Sequence, residues 1–481
     1  MEQAQAKSHQ DFHRRMIFSV VAILVSFFAI SARSAETDYL RKIKASGLPM
    51  DRFGLQATLL KDGQQTVLIS HRSEVRMIPA SVSKLATGAA FIKGYPPGTK
   101  LKTLLVSDGK NQDGTLLGDL CVKGVGDPSF VSENMWFIVN HFLRNEIRKV
   151  NGNIIVDDSI FDDLRFDPSR RPERVDRAYD SPVGGLSFNW NSVNVFIRPQ
   201  IVGGPAKVFI DPENDYIILE NKSQTVKGIV NTLVVDRSIE KDGRNKIRVS
   251  GKIGTGVPEV TSYKSITEPD LWFGYNLKSF LAQRNVSVNG GIKRGKCSGD
   301  AKVLAESEAR TSEAILADMN KFSNNFVAEM ITKQMGLELG TPGTIANGMK
   351  VIRRNLLDLG LKESDFELVN PSGLTDDNLM TASAIVQVLA HLQKDFRVFP
   401  EFLFSLPIAG TDGTLKKRFK DTAGERWVRA KTGLLNKAVA LAGYAARPDG
   451  GLVAFAFMFN GQGDDARLRS LFDETVIGLL Q

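Results

Sequence analysis

Three short motifs stand far apart and in one order along this chain: Ser81-Val82-Ser83-Lys84, Ser323-Asn324-Asn325 and Lys431-Thr432-Gly433. From Ser81 to Ser323 is 242 positions, and from Ser323 to Lys431 is 108. A chain that uses all three must fold so that distant segments meet in one cleft. Together they supply a nucleophile, a base, a proton relay and an anchor for a carboxylate. That set describes acyl transfer through a serine ester, with no histidine and no metal.

Each motif alone is weak. Ser-x-x-Lys also occurs at Ser107–Lys110 and Ser238–Lys241, and Ser-x-Asn at Ser132, Ser187, Ser192 and Ser287. Local context separates the copies. Ser81 follows Pro79-Ala80 and opens the small apolar stretch Leu85–Phe91, which predicts a helix start. Serine at i and lysine at i+3 then share one helical face, and N–H groups at the helix start can stabilise an oxyanion. Ser107–Lys110 lies instead in a Gly-, Asp- and Asn-rich turn, and Ser238–Lys241 in a charged segment.

Lys84 can act as a base only if its amine is neutral. An ordinary lysine titrates at about 10.4 and is protonated at pH 7. Burial and a neighbouring cation push that value down, and Lys431 is a candidate second cation. Lys431-Thr432-Gly433 precedes two strand-like runs, Val439–Tyr444 and Leu452–Phe459, with the turn signal Arg447–Gly451 between them. The tripeptide is therefore expected at the start of a β-hairpin. Lys431 and Thr432 would hold a terminal carboxylate there, and Gly433 would let a substrate backbone approach.

These motifs resemble those of the low-molecular-mass class C penicillin-binding proteins, the D-alanyl-D-alanine carboxypeptidase/endopeptidase family. Further matches are Gly118-Asp119-Leu120 leading to Gly126-Asp127-Pro128, Asp157-Asp158-Ser159-Ile160-Phe161, Asn370–Leu374 and Leu406–Leu415. The long gap between the first two motifs is itself a family mark. The resemblance implies an α/β fold: a β-lactamase/transpeptidase-like domain, an antiparallel sheet flanked by helices, interrupted by a large insertion that forms two nested smaller domains. The expected boundaries are 36–93 and 292–481 for the catalytic domain, 94–196 and 266–291 for the first inserted domain, and 197–265 for the nested one. Composition agrees in outline: short β-type runs fill 196–265, and helical patterns dominate 312–336 and 381–394.

The same resemblance assigns roles. Ser81 attacks the penultimate D-Ala carbonyl with Lys84 as base, Ser323 relays the proton, and Asn325 orients the peptide and Lys84. Lys431, Thr432, Gly433 and Leu434 bind the substrate strand, with the Ser81 and Leu434 N–H groups as oxyanion hole. Asp157 is a candidate receiver of a diaminopimelate ammonium. The implied partners are peptidoglycan stem peptides, with β-lactams as covalent inhibitors, and no cofactor or metal is implied. Two departures bear on specificity: Leu434 stands where relatives carry Ser or Thr, and Lys437 where glycine is common. A β-lactamase and a non-catalytic peptidoglycan-binding protein are the alternative readings. The large insertion, the lack of a clear deacylating glutamate and the complete motif set favour the peptidase.

Arg14-Arg15, the apolar run Met16–Ile30 and the small residues Ser31–Ala35 read as a signal peptide over 1–34, cleaved on export. The run is short for a membrane span of about 20 residues. The expected location is the periplasm, with at most loose membrane or cell-wall association. Cys121 and Cys297 fit an oxidising compartment; a bridge across the insertion and two free buried thiols are both open readings. His71, His141 and His391 lack metal-ligand spacing. The net charge of +8 becomes +6 once the four basic and two acidic groups of residues 1–34 are set aside. The basic residues are scattered, without aromatic interleaving, which argues against nucleic acid as a partner.

Overall fold

The computed structural model describes residue 43, residues 45–169 and residues 181–481. The leader expected over 1–34 lies outside the described residues. Among them, no helix is long and apolar enough to cross a membrane.

The catalytic domain is organised on a five-stranded antiparallel sheet. Its strands are β1 (Phe53–Lys61), β2 (Gln64–His71), β3 (Val428–Leu435), β4 (Ala438–Ala446) and β5 (Leu452–Asn460), in the order β2-β1-β5-β4-β3. The β1–β2 turn is Asp62-Gly63, both at positive φ, as a tight hairpin requires. The apolar run 452–459 is continuous because both faces of β5 are covered. Ala454, Ala456 and Met458 join Ala440, Ala442 and Tyr444 on one face, against the main helical cluster. Val453, Phe455, Phe457 and Phe459 join Val439, Leu441 and Ala445 on the other. This is the period of two of a strand, with alanines chiefly on the face toward the main helical cluster.

The helices around this sheet are α1 (Lys84–Gly94), α2 (Ser312–Lys321), α3 (Asn325–Gly336), α4 (Ile345–Asp358), α5 (Ala382–Lys394) and α6 (Asp465–Gly478). Side-chain caps start several of them: Asn324 for α3, Thr344 for α4, Thr381 for α5 and Asp464 for α6. Leu468, Phe472 and Val476 of α6 bury against the phenylalanine face of the sheet. The C-terminal helix is thus a domain helix, as its sequence suggests.

The insertion has its own sheets. One runs in the order Ile292–Arg294, Ile154–Asp157, Leu120–Lys123, Leu104–Ser107, Lys302–Glu306. Helix Pro269–Gln283 lies on it through Gly274, where a Cβ would meet Val156 and Ile292 at 2.8 and 2.6 Å. Beyond it are two three-stranded sheets. One comprises Lys207–Asp211, Ser192–Arg198 and Val260–Ser265; the other Ile217–Val226, Asn245–Gly254 and Val234–Ile239. A single apolar cluster joins these layers to the first, with Trp272 fully buried in it.

Two expected boundaries fall inside sheets. Ile292–Arg294 and Lys302–Glu306, read as catalytic, pair with Ile154–Asp157 and Leu104–Ser107 of the insertion. The nested β unit begins at Ser192, so a boundary at 197 would cut the strand Ser192–Arg198. Cys121 and Cys297 form a disulfide, which ties the strand Leu120–Lys123 to the segment between those two returning strands.

Candidate active site

Ser81 sits in a single 3₁₀ turn, Ala80–Ser83, and the α-helix proper begins at Lys84. The turn replaces the expected helix start because Ala80 adopts φ +48°, a region L-residues rarely enter. Ser83 Oγ donates to the Ala80 carbonyl at 3.0 Å. Gly373, at φ +73°, packs so closely that a Cβ there would lie 2.1 Å from the Ala80 oxygen. The strain at Ala80 is held by its neighbours, and it aims Ser81 outward.

Lys84 follows one turn later and is fully buried. Its Nζ lies 3.1 Å from Ser81 Oγ, 2.7 Å from Asn325 Oδ1 and 2.5 Å from the Ser372 carbonyl oxygen. Ser81 Oγ also donates to the Ser372 carbonyl at 3.4 Å. Residues 81, 84, 325 and 372 thus meet at one amine.

The stretch 312–336, helical throughout by pattern, breaks at Phe322–Asn324 into α2 and α3. Ser323 occupies the break at φ +55°. There its Oγ accepts from Lys431 Nζ at 2.7 Å. Lys431 also donates to the Thr432 carbonyl at 2.9 Å. It is fully buried, and burial pushes its pKa down to about 7.

The strand carrying Lys431 is the edge of the sheet and the first strand of a hairpin with β4, and the motif lies in the middle of that strand. Ala430 N–H donates to the Pro407 carbonyl and Ala409 N–H to the Val428 carbonyl. Backbone groups alternate along a strand, so Thr432 and Leu434 turn their N–H and C=O groups to the same outer edge. Thr432 Oγ1 donates to Thr414 Oγ1 at 2.9 Å. The Leu434 side chain is 44% exposed, open to a molecule lying on that edge.

Gly433 meets a packing need within the fold. A Cβ there would stand 2.6 Å from the Pro79 carbonyl oxygen and 3.2 Å from Ala80 Cβ. Its missing side chain lets β3 press against the turn that carries Ser81.

Asp157 has local partners. Its Oδ1 accepts from Ser159 N–H at 3.1 Å and Ser159 Oγ at 2.7 Å, and its Oδ2 from Cys297 N–H at 2.8 Å. These bonds close the Asp157–Ser159 turn and hold the disulfide segment, and no motif residue is among them. Sequence reasoning assigned no role to three participants: the Ser372 carbonyl, Asn370 behind it, and Thr414. Asn370–Leu374 stood out as a stretch, but a backbone acceptor leaves no side-chain signature. Among the described residues, no group of His, Cys, Asp and Glu is arranged to hold a metal ion.

Comparison with known proteins adds to this geometry. The D-Ala-D-Ala carboxypeptidase 3 (S13) family matches residues 43–476. A D-alanyl-D-alanine carboxypeptidase of Actinomadura sp. strain R39 is 31% identical over 417 residues, covering 83% of this chain and 76% of that one. The D-alanyl-D-alanine carboxypeptidase DacB of Haemophilus influenzae is 23% identical over 422 residues, 83% of each chain. Among solved structures, penicillin-binding protein 4 of Haemophilus influenzae superposes with a TM-score of 0.75 at 21% identity. That match covers 89% of this chain and 96% of the other. The likeness shows the fold, a transpeptidase-like domain with extra domains.

Proposed function

This chain belongs to the D-Ala-D-Ala carboxypeptidase 3 (S13) family, and we propose that it cleaves peptidoglycan stem peptides outside the cytoplasm through a Ser81 ester. It is a serine peptidase, a hydrolase of the D-alanyl-D-alanine carboxypeptidase type. The observation that carries the mechanism is the arrangement around Lys84. A neutral amine has two hydrogens and one lone pair. Asn325 Oδ1 and the Ser372 carbonyl are two acceptors at 2.7 and 2.5 Å. They take both hydrogens, which leaves the lone pair for Ser81 Oγ at 3.1 Å; the Ser81 hydroxyl then turns its hydrogen from the Ser372 carbonyl to the amine.

The steps follow. The peptide lies on the outer edge of β3 with its terminal carboxylate on Lys431 and Thr432. Lys84 takes the Ser81 proton as Oγ bonds to the penultimate D-Ala carbonyl carbon. The oxyanion is met by the N–H groups of Ser81 and Leu434. Ser323, bonded to Lys431, relays the proton that Lys84 took to the leaving amine as the C–N bond breaks, which leaves Lys84 neutral again. Lys84 then takes a proton from water as the water oxygen attacks the ester carbonyl, and returns it to Ser81 Oγ as the acyl C–O bond breaks. With D-Ala as leaving amine the reaction is carboxypeptidase; with a cross-linking diaminopimelate it is endopeptidase. β-Lactams enter the same first step and leave an acyl group on Ser81. The disulfide and the leader pattern support work in an oxidising compartment, the periplasm.

The test is release of D-Ala from a stem pentapeptide ending in D-Ala-D-Ala, measured beside cleavage of a cross-linked peptide dimer. Both should proceed, and both should vanish in Ser81→Ala. Turnover that persists in Ser81→Ala would overturn the mechanism, and an intact dimer would remove the endopeptidase part.

A further inference from the structure

The two acceptors that hold Lys84 stand on two elements, and one segment of the insertion grips both from behind. Asn325 begins α3, and Lys333 lies eight residues on along the same helix. At 1.5 Å per residue these positions are ~12 Å apart on one rigid rod. Lys333 is fully buried and donates to Asp162 Oδ1 at 2.5 Å and to the Leu164 carbonyl at 2.6 Å. The second acceptor, the Ser372 carbonyl, is set by Asn370, which is also fully buried. Asn370 Oδ1 accepts from Ser372 N–H at 2.8 Å, Ser372 Oγ at 2.7 Å and Gly373 N–H at 3.0 Å. Its Nδ2 donates to Ser169 Oγ at 3.0 Å, and Ser169 donates to buried Asp167 at 2.6 Å. The segment is itself fastened to the insertion. Arg165 donates to Asp158, and the Arg165 carbonyl accepts from Val183 N–H at 2.8 Å.

We propose that the segment Asp162–Ser169 is a strap that positions the catalytic base, with Ser169 and Asp162 as positioning residues acting through Asn370 and Lys333. The inference rests on the reading of Ser81 as nucleophile and Lys84 as base. Its physics is short. If either acceptor retreats, the amine is no longer held in this orientation and its lone pair turns from Ser81 Oγ. Attack then slows. Pre-covalent binding does not change, because the carboxylate of the incoming molecule is held on β3 by Lys431 and Thr432. The insertion thereby enters catalysis without touching the reacting atoms.

The experiment is stopped-flow acylation of the purified chain by a chromogenic cephalosporin, in wild type, Ser169→Ala, Ser169→Thr and Asp162→Asn. Ser169→Ala leaves the buried Asn370 amide without its acceptor. Its saturating acylation rate should fall on the order of tenfold, the effect of one misplaced hydrogen bond. The dissociation constant of the pre-covalent complex and the stoichiometry of one acyl group per chain should stay unchanged. Ser169→Thr keeps the hydroxyl and should acylate at the wild-type rate. Asp162→Asn keeps an acceptor for Lys333 and should slow acylation by less. A wild-type acylation rate in Ser169→Ala would overturn the strap. So would a loss that appears only as weaker binding or fewer active chains. A wild type that is never acylated would instead break the reading of Ser81, and the strap would fall with it.

Discussion

Lys431 in the cleft and Lys333 behind it are both fully buried lysines, yet their surroundings differ. Lys333 faces a carboxylate, Asp162, and two backbone carbonyls. Burial pushes its pKa down, and Asp162 pulls it back. Among the described residues, Lys431 bonds to a hydroxyl and a carbonyl, and burial brings it to about 7. A carboxylate built into the fold makes the first lysine a permanent tie between domains. On the proposed mechanism, neutral acceptors leave the second one for a carboxylate that arrives with substrate. Burying a cation without a counter-charge lowers stability, so the cleft retains a destabilising group where binding needs it.

Four predictions break or sharpen this contrast. Replacing Lys431 by Met should lower kcat/KM for a D-Ala-D-Ala peptide by about 100-fold, the scale of a lost hydrogen bond to a charged group. Steady-state D-Ala release checks it, and an unchanged kcat/KM would remove Lys431 from substrate binding. Lys333→Met should act chiefly on the fold, because it strands Asp162, and should slow acylation only as far as the strap loosens. The expected cost is about 2 kcal/mol of stability, read as a lower melting temperature by calorimetry.

The third prediction follows from titration. On the proposed mechanism Lys431 binds a carboxylate as a cation, and in the free enzyme that form is lost above about pH 7. The kcat/KM for peptide should therefore fall toward a limit of about tenfold per pH unit above that point. Stability runs the other way. The unfolded lysine keeps its proton up to about 10.4 while the folded one gives it up near 7, so this group's penalty lessens as pH rises through that window. Thermal melts of Lys431→Met against wild type should show the variant more stable below pH 7, with the gap closing toward pH 10. A gap that does not move with pH would contradict the assignment. The smallest effect is at Leu434. Leu434→Thr leaves the backbone N–H in place, so it should change kcat/KM by roughly threefold or less while altering the ranking among β-lactams. A loss of acylation there would show that the side chain supports the chemistry itself.

Much of the cleft was legible in the sequence because its chemistry lies in side chains with a shared order. Ser81, Lys84 and Asn325 form one hydrogen-bonded group and Ser323 and Lys431 another, with residues 323–325 supplying a member to each. The continuous apolar run 452–459 was legible as a buried strand, but the split of its two faces between separate clusters was not. The break at Ser323 was invisible to helical periodicity, since three residues of turn barely disturb a period of 3.6. The returning strands Ile292–Arg294 and Lys302–Glu306 were misplaced because short exposed strands carry little pattern. The strap was hidden for another reason. Asp162, Ser169 and Asn370 are ordinary polar residues until the fold sets them beside Lys333 and Ser372.

The most direct test of the central claim is intact-mass spectrometry of the chain after exposure to benzylpenicillin, with Ser81→Ala alongside. One penicilloyl group per chain, persistent in wild type and absent from Ser81→Ala, is the predicted result. Hydrolysed drug without a lasting adduct would mark a β-lactamase, and an adduct that survives in Ser81→Ala would place the nucleophile elsewhere. Intact drug and an unmodified chain would contradict a working Ser81–Lys84 site altogether.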